Sequence, residues 1–156
     1  MLTREQIALR AARELKAGDS VYLDEGLPSL IASNVPEGVR VVQGGESADA
    51  VDLAVLTASS VASTGEFVGS ALRREAKRVL VLLEQHANGD ISHVLAACEG
   101  APTGRAHRII TDMAVFDVTP EGLVMREVAP DISAHDVQIK TGTPLLAADD
   151  LRVIHV

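Results

Sequence analysis

Apolar residues in "TREQIALRAARELKAG" fall at Ile7, Leu9, Ala11, Ala12 and Leu15, the spacing of one helix face. Thr3 opens the segment with Gln6 three positions later, a capping-box pair, and Gly18 stands where a C-terminal cap is wanted. "SVYLD" then reads as a short strand. In "EGLPSLIASNVPEG", Pro28 near the start and Pro36 after an apolar run bracket a short helix. "VRVVQ" is a second strand. "AVDLAVLT" is nearly unbroken in apolar residues, the mark of a strand buried on both faces in a parallel sheet covered by helices. Thr57 to Gly69, "TASSVASTGEFVG", is small and polar and reads as a loop, followed by a helix "SALRREAKR" and a strand "VLVLLE".

"QHANGD" carries an Asn-Gly turn signal, and "ISHVLAAC" fits strand or helix. "RIITDMAVFDVTPEGLVMREVAP" reads as two strands joined at Thr119-Pro120-Glu121-Gly122, with Pro at the second turn position. "SAHDVQIKTG" reads as a helix begun at Ser133 and Asp136 and ended by Gly142, and the tail "PLLAADDLRVIHV" as extended. Alternation of this kind over 156 residues predicts one domain, residues 1–156, of the α/β class: an open, mostly parallel sheet flanked by helices, with an antiparallel hairpin near the end.

Composition and residue spacing sharpen this picture. Aromatic residues make up only 2% of the chain, so the core is built from Val, Leu, Ile and Ala. A net charge of −8 without a Lys/Arg block argues against nucleic acid. The single cysteine, Cys98, excludes an intramolecular disulfide and has no neighbouring base to activate it. His86, His93, His107, His135 and His155 show no HxxxH or HxH spacing, so no metal is expected. No apolar run approaches ~18 residues and the first turns are charged, so a soluble, cytoplasmic protein without a membrane partner is expected.

In open α/β sheets, ligands bind outside the carboxyl ends of the strands. Three loops qualify: "DEGLPS", "QGGES" and "TASSVASTG". Gly44-Gly45 could let backbone amides approach an oxyanion while Glu46 attacks as a nucleophile, or could be a simple two-glycine turn. The acid pair Asp24-Glu25 could cap the helix that follows, the favoured reading, or supply a general base in Glu25. No GxGxxG or P-loop is present, which argues against a dinucleotide or a nucleoside triphosphate.

Several blocks together resemble the beta subunit of the family I, 3-oxoacid type, coenzyme A transferases. They are "MLTREQIALRAARELKAGDSVYLDEGLPSLIASNVPEGVRVV", "VDLAVL", "AKRVLVLLEQ", "RIITDMAVFDVTPEGLV" and "KTGTP", in the family's order over most of the chain. The resemblance implies a coenzyme A transferase fold, an alpha-type partner subunit with the site between the two, a coenzyme A thioester as substrate, and no covalently bound cofactor. It also implies a nucleophilic glutamate in a Gln-Ser-Glu-Asn-Gly loop after "VRVV".

Here that loop is "QGGESADA". Gln43 matches the family glutamine, but Glu46 then falls one position late and lacks the Asn-Gly. Alternatively Gly44-Gly45 matches the pair before "DLAVL" and Glu46 is a bystander. A second shortening lies between "ASTGEFVG" and "SALRREAKRV", and the family's Gly-Ile-Gly before the proline is replaced by Asp24-Glu25-Gly26. Three readings follow. The first is a beta-type subunit acting on an acyl thioester by hydrolysis, decarboxylation or carbon–carbon cleavage. The second is a true transferase using Glu46, and the third a non-catalytic subunit that stabilises an alpha-type partner.

Overall fold

The computed structural model describes residues 1–42, 50–72, 74–85 and 93–156. The elements are α1 (Arg4–Ala12), β1 (Ser20–Leu23), a 3-10 helix (Leu27–Asn34), β2 (Arg40–Val42), β3 (Val51–Ala62), β4 (Glu66–Gly69), β5 (Ala76–Leu83), β6 (Val94–Leu95), β7 (Gly104–Arg105), β8 (Arg108–Thr111), β9 (Ala114–Thr119), β10 (Gly122–Val128), α2 (Ala134–Ile139) and β11 (Leu146–Val153). The main sheet has the order β11-β10-β9-β8-β5-β3-β1-β2. Pairing is parallel from β2 through β8, antiparallel for β8/β9 and β9/β10, and parallel again for β10/β11. The outer half of β3 leaves this sheet and pairs with β4 and β6, and β4 pairs with β7. The predicted open, mostly parallel sheet is present. No helix among the described residues is long and apolar enough to cross a membrane.

Alternation along β3 and β5 divides the core into two layers. Leu53, Val55, Leu80 and Leu82 meet Ile7 and Ala11 of α1 and Ile31 of the 3-10 helix. Ala54, Leu56, Val79, Val81 and Leu83 meet Phe67, Val94 and Val137 on the other side. Helices were expected over both faces; the second face is covered mainly by the small β4, β6 and β7 layer, with α2 at one end.

Both capping boxes form as read: Thr3 with Gln6 on α1, and Ser133 with Asp136 on α2. Four expectations are corrected. α1 ends at Ala12 rather than near Gly18, whose φ of +94° instead serves the turn into β1, its N–H donating to Gly38 O. Thr57 to Gly69 is not a loop but the end of β3, a turn at Gly65, and β4. "RIITDMAVFDVTPEGLVMREVAP" holds three strands rather than two. Its extra turn is made by Thr111, whose Oγ1 accepts from the N–H groups of Met113 (3.0 Å) and Ala114 (3.1 Å).

The fourth correction has a geometric cause. "SALRREAKR" does not form a helix: Ala76–Arg78 already belong to β5, and the described residues between 70 and 75 are irregular. Ser70 N–H donates to Thr57 O, while Ala76 pairs with Val51, so the chain must run back along six residues of β3 in six steps. That is about 20 Å at ~3.3 Å per residue, whereas a helix would advance only ~9 Å. The segment has to be extended, whatever its periodicity. "QHANGD" and the start of "ISHVLAAC" lie outside the described residues, and Val94–Leu95 form β6.

Two polar networks fix the frame. At the carboxyl ends of β5 and β8, buried Gln85 receives Thr111 Oγ1–H at 3.0 Å on its side-chain oxygen and donates from Nε2 to Thr141 Oγ1 at 2.5 Å, while its backbone N–H donates to Asp112 Oδ1 at 2.8 Å. Thr141 in turn donates to Val137 O in α2 at 2.7 Å. Polar groups of "LLEQ", "TDMAVF" and "KTGTP" thus converge on one buried cluster. At the opposite edge, Arg10 of α1 is only 3% exposed and bonds Glu127 at 2.6 and 3.0 Å and Glu14 at 3.1 Å. Glu14 continues to Arg108 (2.8 Å), and Arg108 grips Asp117 through two nitrogens at 2.6 and 3.2 Å. Burial disfavours the Arg10 charge, yet the hydrogen bonds and attraction of Glu127 hold its pKa above the ordinary value.

Thr111→Val keeps the shape but leaves two amides and the Gln85 carbonyl without their partner, so urea denaturation is expected to show a loss of about 2 to 3 kcal/mol. A loss under about 0.5 kcal/mol would mean the network adds little. The second network predicts an acid limit. Burial works to raise the Asp117 and Glu127 carboxyls, but hydrogen bonds from Arg108 and Arg126 to the first, and from Arg10 to the second, outweigh it and lower both. Carboxylates with depressed folded pKa values contribute stability that is complete above the unfolded value, near pH ~4, and lost as pH falls through the folded value. Thermal midpoints should therefore fall steeply below pH ~4, and less steeply in Glu127→Gln.

Candidate active site at the carboxyl ends of β1 and β3

β1 ends at Leu23, but the backbone stays tied to β3 for one residue more, because Asp24 N–H donates to Val55 O at 3.0 Å. The chain then turns at Gly26, whose φ of +78° is costly for any residue with a side chain, and enters the 3-10 helix with Pro28 in its first turn. Asp24 and Glu25 are held by this turn at the mouth of the parallel strands.

The favoured reading of the acid pair as a helix cap is not what forms. Gly26 is the N-cap and no side chain caps the helix. Asp24 Oδ1 instead accepts from the Tyr22 hydroxyl at 3.3 Å, and the Glu25 side chain is exposed. Neither carboxylate is engaged with the helix amides, which leaves Glu25 free to meet a ligand.

Tyr22 anchors the second half of the site. Its ring packs against the core face that carries Ala54 and Leu56, and Leu72 of the segment between β4 and β5 packs against the same cluster. Arg74 of that segment stacks its guanidinium on the ring, 4.9 Å from the centroid. Burial raises the Tyr22 phenol above its ordinary pKa; Asp24 and Glu25 add to the rise and Arg74 opposes it. Further along β3, Thr57 Oγ1 and Ser70 Oγ lie 3.1 Å apart. That closeness depends on Gly69: a Cβ there would stand 2.2 Å from Thr57 O and 2.6 Å from the Ala58 Cα.

Of the candidates read from sequence, Glu25 lies at this mouth. Glu46 lies outside the described residues. β2 ends at Val42, paired beside Tyr22, and β3 resumes at Val51, so eight residues connect the two strands. Arg74, Tyr22, Thr57 and Ser70 were not singled out in the sequence. The Arg74/Tyr22 stack and the Thr57/Ser70 pair both draw on the segment after β4, which periodicity had assigned to a helix. Cys98 is remote from this cluster: its thiol donates to Glu66 O at 3.0 Å, and burial pushes its pKa up, which keeps it a thiol. Among the described residues, no three His, Cys, Asp or Glu side chains form a metal-binding group.

No protein-family model matches the chain. It is similar to one subunit of the probable succinyl-CoA:3-ketoacid coenzyme A transferase of Bacillus subtilis, 26% identical over an alignment that takes in 88% of this chain and 92% of that protein. The alignment runs over 199 positions against 156 residues in the chain, so the relative holds segments with no counterpart here. It is also similar to the beta subunit of the acetate CoA-transferase of Haemophilus influenzae, 24% identical over all of this chain and 97% of that protein. Among solved structures, the fold matches an acyl-CoA transferase from Escherichia coli O157:H7 in a thioester complex with CoA, with a TM-score of 0.79 at 15% identity. That match covers 99% of this chain but 43% of the transferase, so the chain spans less than half of it. The fold also matches the decarboxylase AibA/AibB, with a TM-score of 0.73 at 14% identity, covering all of this chain and 90% of that one. The chain is thus similar over most of its length to coenzyme A transferase beta subunits that hold segments it lacks, and its fold is the coenzyme A transferase fold.

Proposed function

We propose that the chain, as a single domain over residues 1–156, is the beta-type subunit of a cytoplasmic heteromer with an alpha-type coenzyme A transferase subunit. The heteromer acts on an acyl-CoA or a related acyl thioester by hydrolysis, decarboxylation or carbon–carbon cleavage rather than by transfer of coenzyme A. The observation that carries this reading is the short connection from Val42 to Val51: the strands that frame the site are in place, while eight residues link them. A transferase needs a carboxylate presented on a supported loop to form its glutamyl thioester. The likeness in fold to a decarboxylase supports chemistry other than transfer on this frame. In this reading Glu25, uncapped and exposed at the strand mouth, serves as general base, and further reacting groups come from the partner. A thioester substrate needs no bound cofactor.

Two measurements on the reconstituted heteromer test this. After incubation with succinyl-CoA, borohydride or hydroxylamine trapping should leave the Glu46 peptide unmodified; a trapped adduct there would restore the transferase reading. Turnover should fall about 10²-fold or more in Glu25→Gln and stay unchanged in Glu46→Gln. If both variants turn over as the parent does, this chain is a structural subunit and the chemistry belongs to its partner.

A further inference from the structure

Arg74 is the residue at the strand mouth whose chemistry the fold leaves unused. It forms no hydrogen bond or ion pair with any described residue, and its Nη1 is buried without a partner. A buried guanidinium nitrogen left unpaired costs free energy that a positioned acceptor would recover. The rest of the side chain is partly exposed, which gives an acceptor a way in. One face of the guanidinium plane is covered by the Tyr22 ring, so a ligand is favoured to approach along the edge, where the N–H fork matches a planar carboxylate. Tyr22 is itself held by its hydrogen bond to Asp24, and the segment that carries Arg74 is tied down by Val51 N–H donating to Glu75 O at 2.9 Å. The cation therefore sits on a fixed seat.

We propose that Arg74 anchors a carboxylate on the acyl chain of the substrate, so that the heteromer takes thioesters of dicarboxylic acids. This rests on the acyl-thioester reading above. A phosphate of coenzyme A has related chemistry, but the phosphates lie a whole pantetheine arm away from the reacting carbonyl. Arg74 stacks on Tyr22, which bonds Asp24 and feels the charge of Glu25, the proposed general base that would work beside the reacting carbonyl. The nearby acid pair also favours a single over a double negative charge in the ligand.

The test compares binding of succinyl-CoA, butyryl-CoA and free coenzyme A to the reconstituted heteromer carrying the parent chain, Arg74→Met or Arg74→Lys. Succinyl and butyryl chains differ in having a carboxylate or a methyl at the same place. The parent should prefer succinyl-CoA by about tenfold, the worth of one charged hydrogen-bonded contact. Arg74→Met should abolish that preference without changing affinity for the other two ligands, and Arg74→Lys should keep part of it. Equal weakening of all three ligands by Arg74→Met would assign the contact to a phosphate instead, and a preference that survives in Arg74→Met would remove Arg74 from the site. Should the parent bind none of the three, the thioester reading fails and the anion site is tested separately on the full chain. Tyr22 is its one tyrosine and it has no tryptophan, so ultraviolet emission reports on the ring beneath Arg74. A change on adding glutarate that is absent in Arg74→Met upholds a carboxylate site, and no change overturns it.

Discussion

Everything in this domain is organised around one long strand. β3 runs twelve residues, Val51–Ala62, and hydrogen-bonds along its length to four others: β1 and β5 at its start, β4 and β6 at its end. Because β3 and β5 are parallel, the chain that leaves β4 has to return the whole paired length of β3 before β5 can begin. With so few residues for that return, the crossing is extended and lies over the face of the sheet. It places Arg74 on Tyr22 and closes that side of the strand mouth. The site therefore follows from a distance constraint more than from any local preference.

That constraint also explains what could be read from the sequence. Local signals held: the Thr3/Gln6 and Ser133/Asp136 boxes, the turn at residues 119–122, and the apolar run of β3 each act within a few residues. Signals that depend on distant partners did not. The Ser- and Thr-rich end of β3 looks like a loop, yet pairing on both edges makes it a strand, with Phe67 buried against it. The helical spacing of residues 70–78 was overruled by the distance to be spanned. The third strand of the "RIITDMAVF" block was hidden because its turn is built from a threonine hydroxyl, without a glycine or proline to mark it.

For the site the division is similar. Glu25 was legible because it follows a strand and precedes a proline-marked helix; that it does not cap that helix was not, since Gly26 takes the cap position. The resemblance blocks "LLEQ", "TDMAVF" and "KTGTP" drew attention by their specificity, and the structure gives them a structural task. Gln85, Thr111 and Thr141 lock α2 to the carboxyl ends of β5 and β8. The most specific of the resembling blocks thus build a structural network, while the candidate site residues Glu25, Tyr22 and Arg74 lie outside it. The strands of the frame are in place while only eight residues connect β2 to β3, and the proposed departure from transferase chemistry is built on that contrast.

The central claim is that this frame serves acyl-thioester chemistry in partnership, without carrying coenzyme A to a second acid. Native mass spectrometry of the chain co-expressed with an alpha-type subunit, followed through turnover of succinyl-CoA with isotopically labelled acetate present, tests it most directly. The account predicts a heteromer of fixed stoichiometry that binds the thioester and releases free coenzyme A or a decarboxylated thioester, with no label entering a thioester. A monodisperse chain that ignores the partner, or labelled acetyl-CoA among the products, would contradict it.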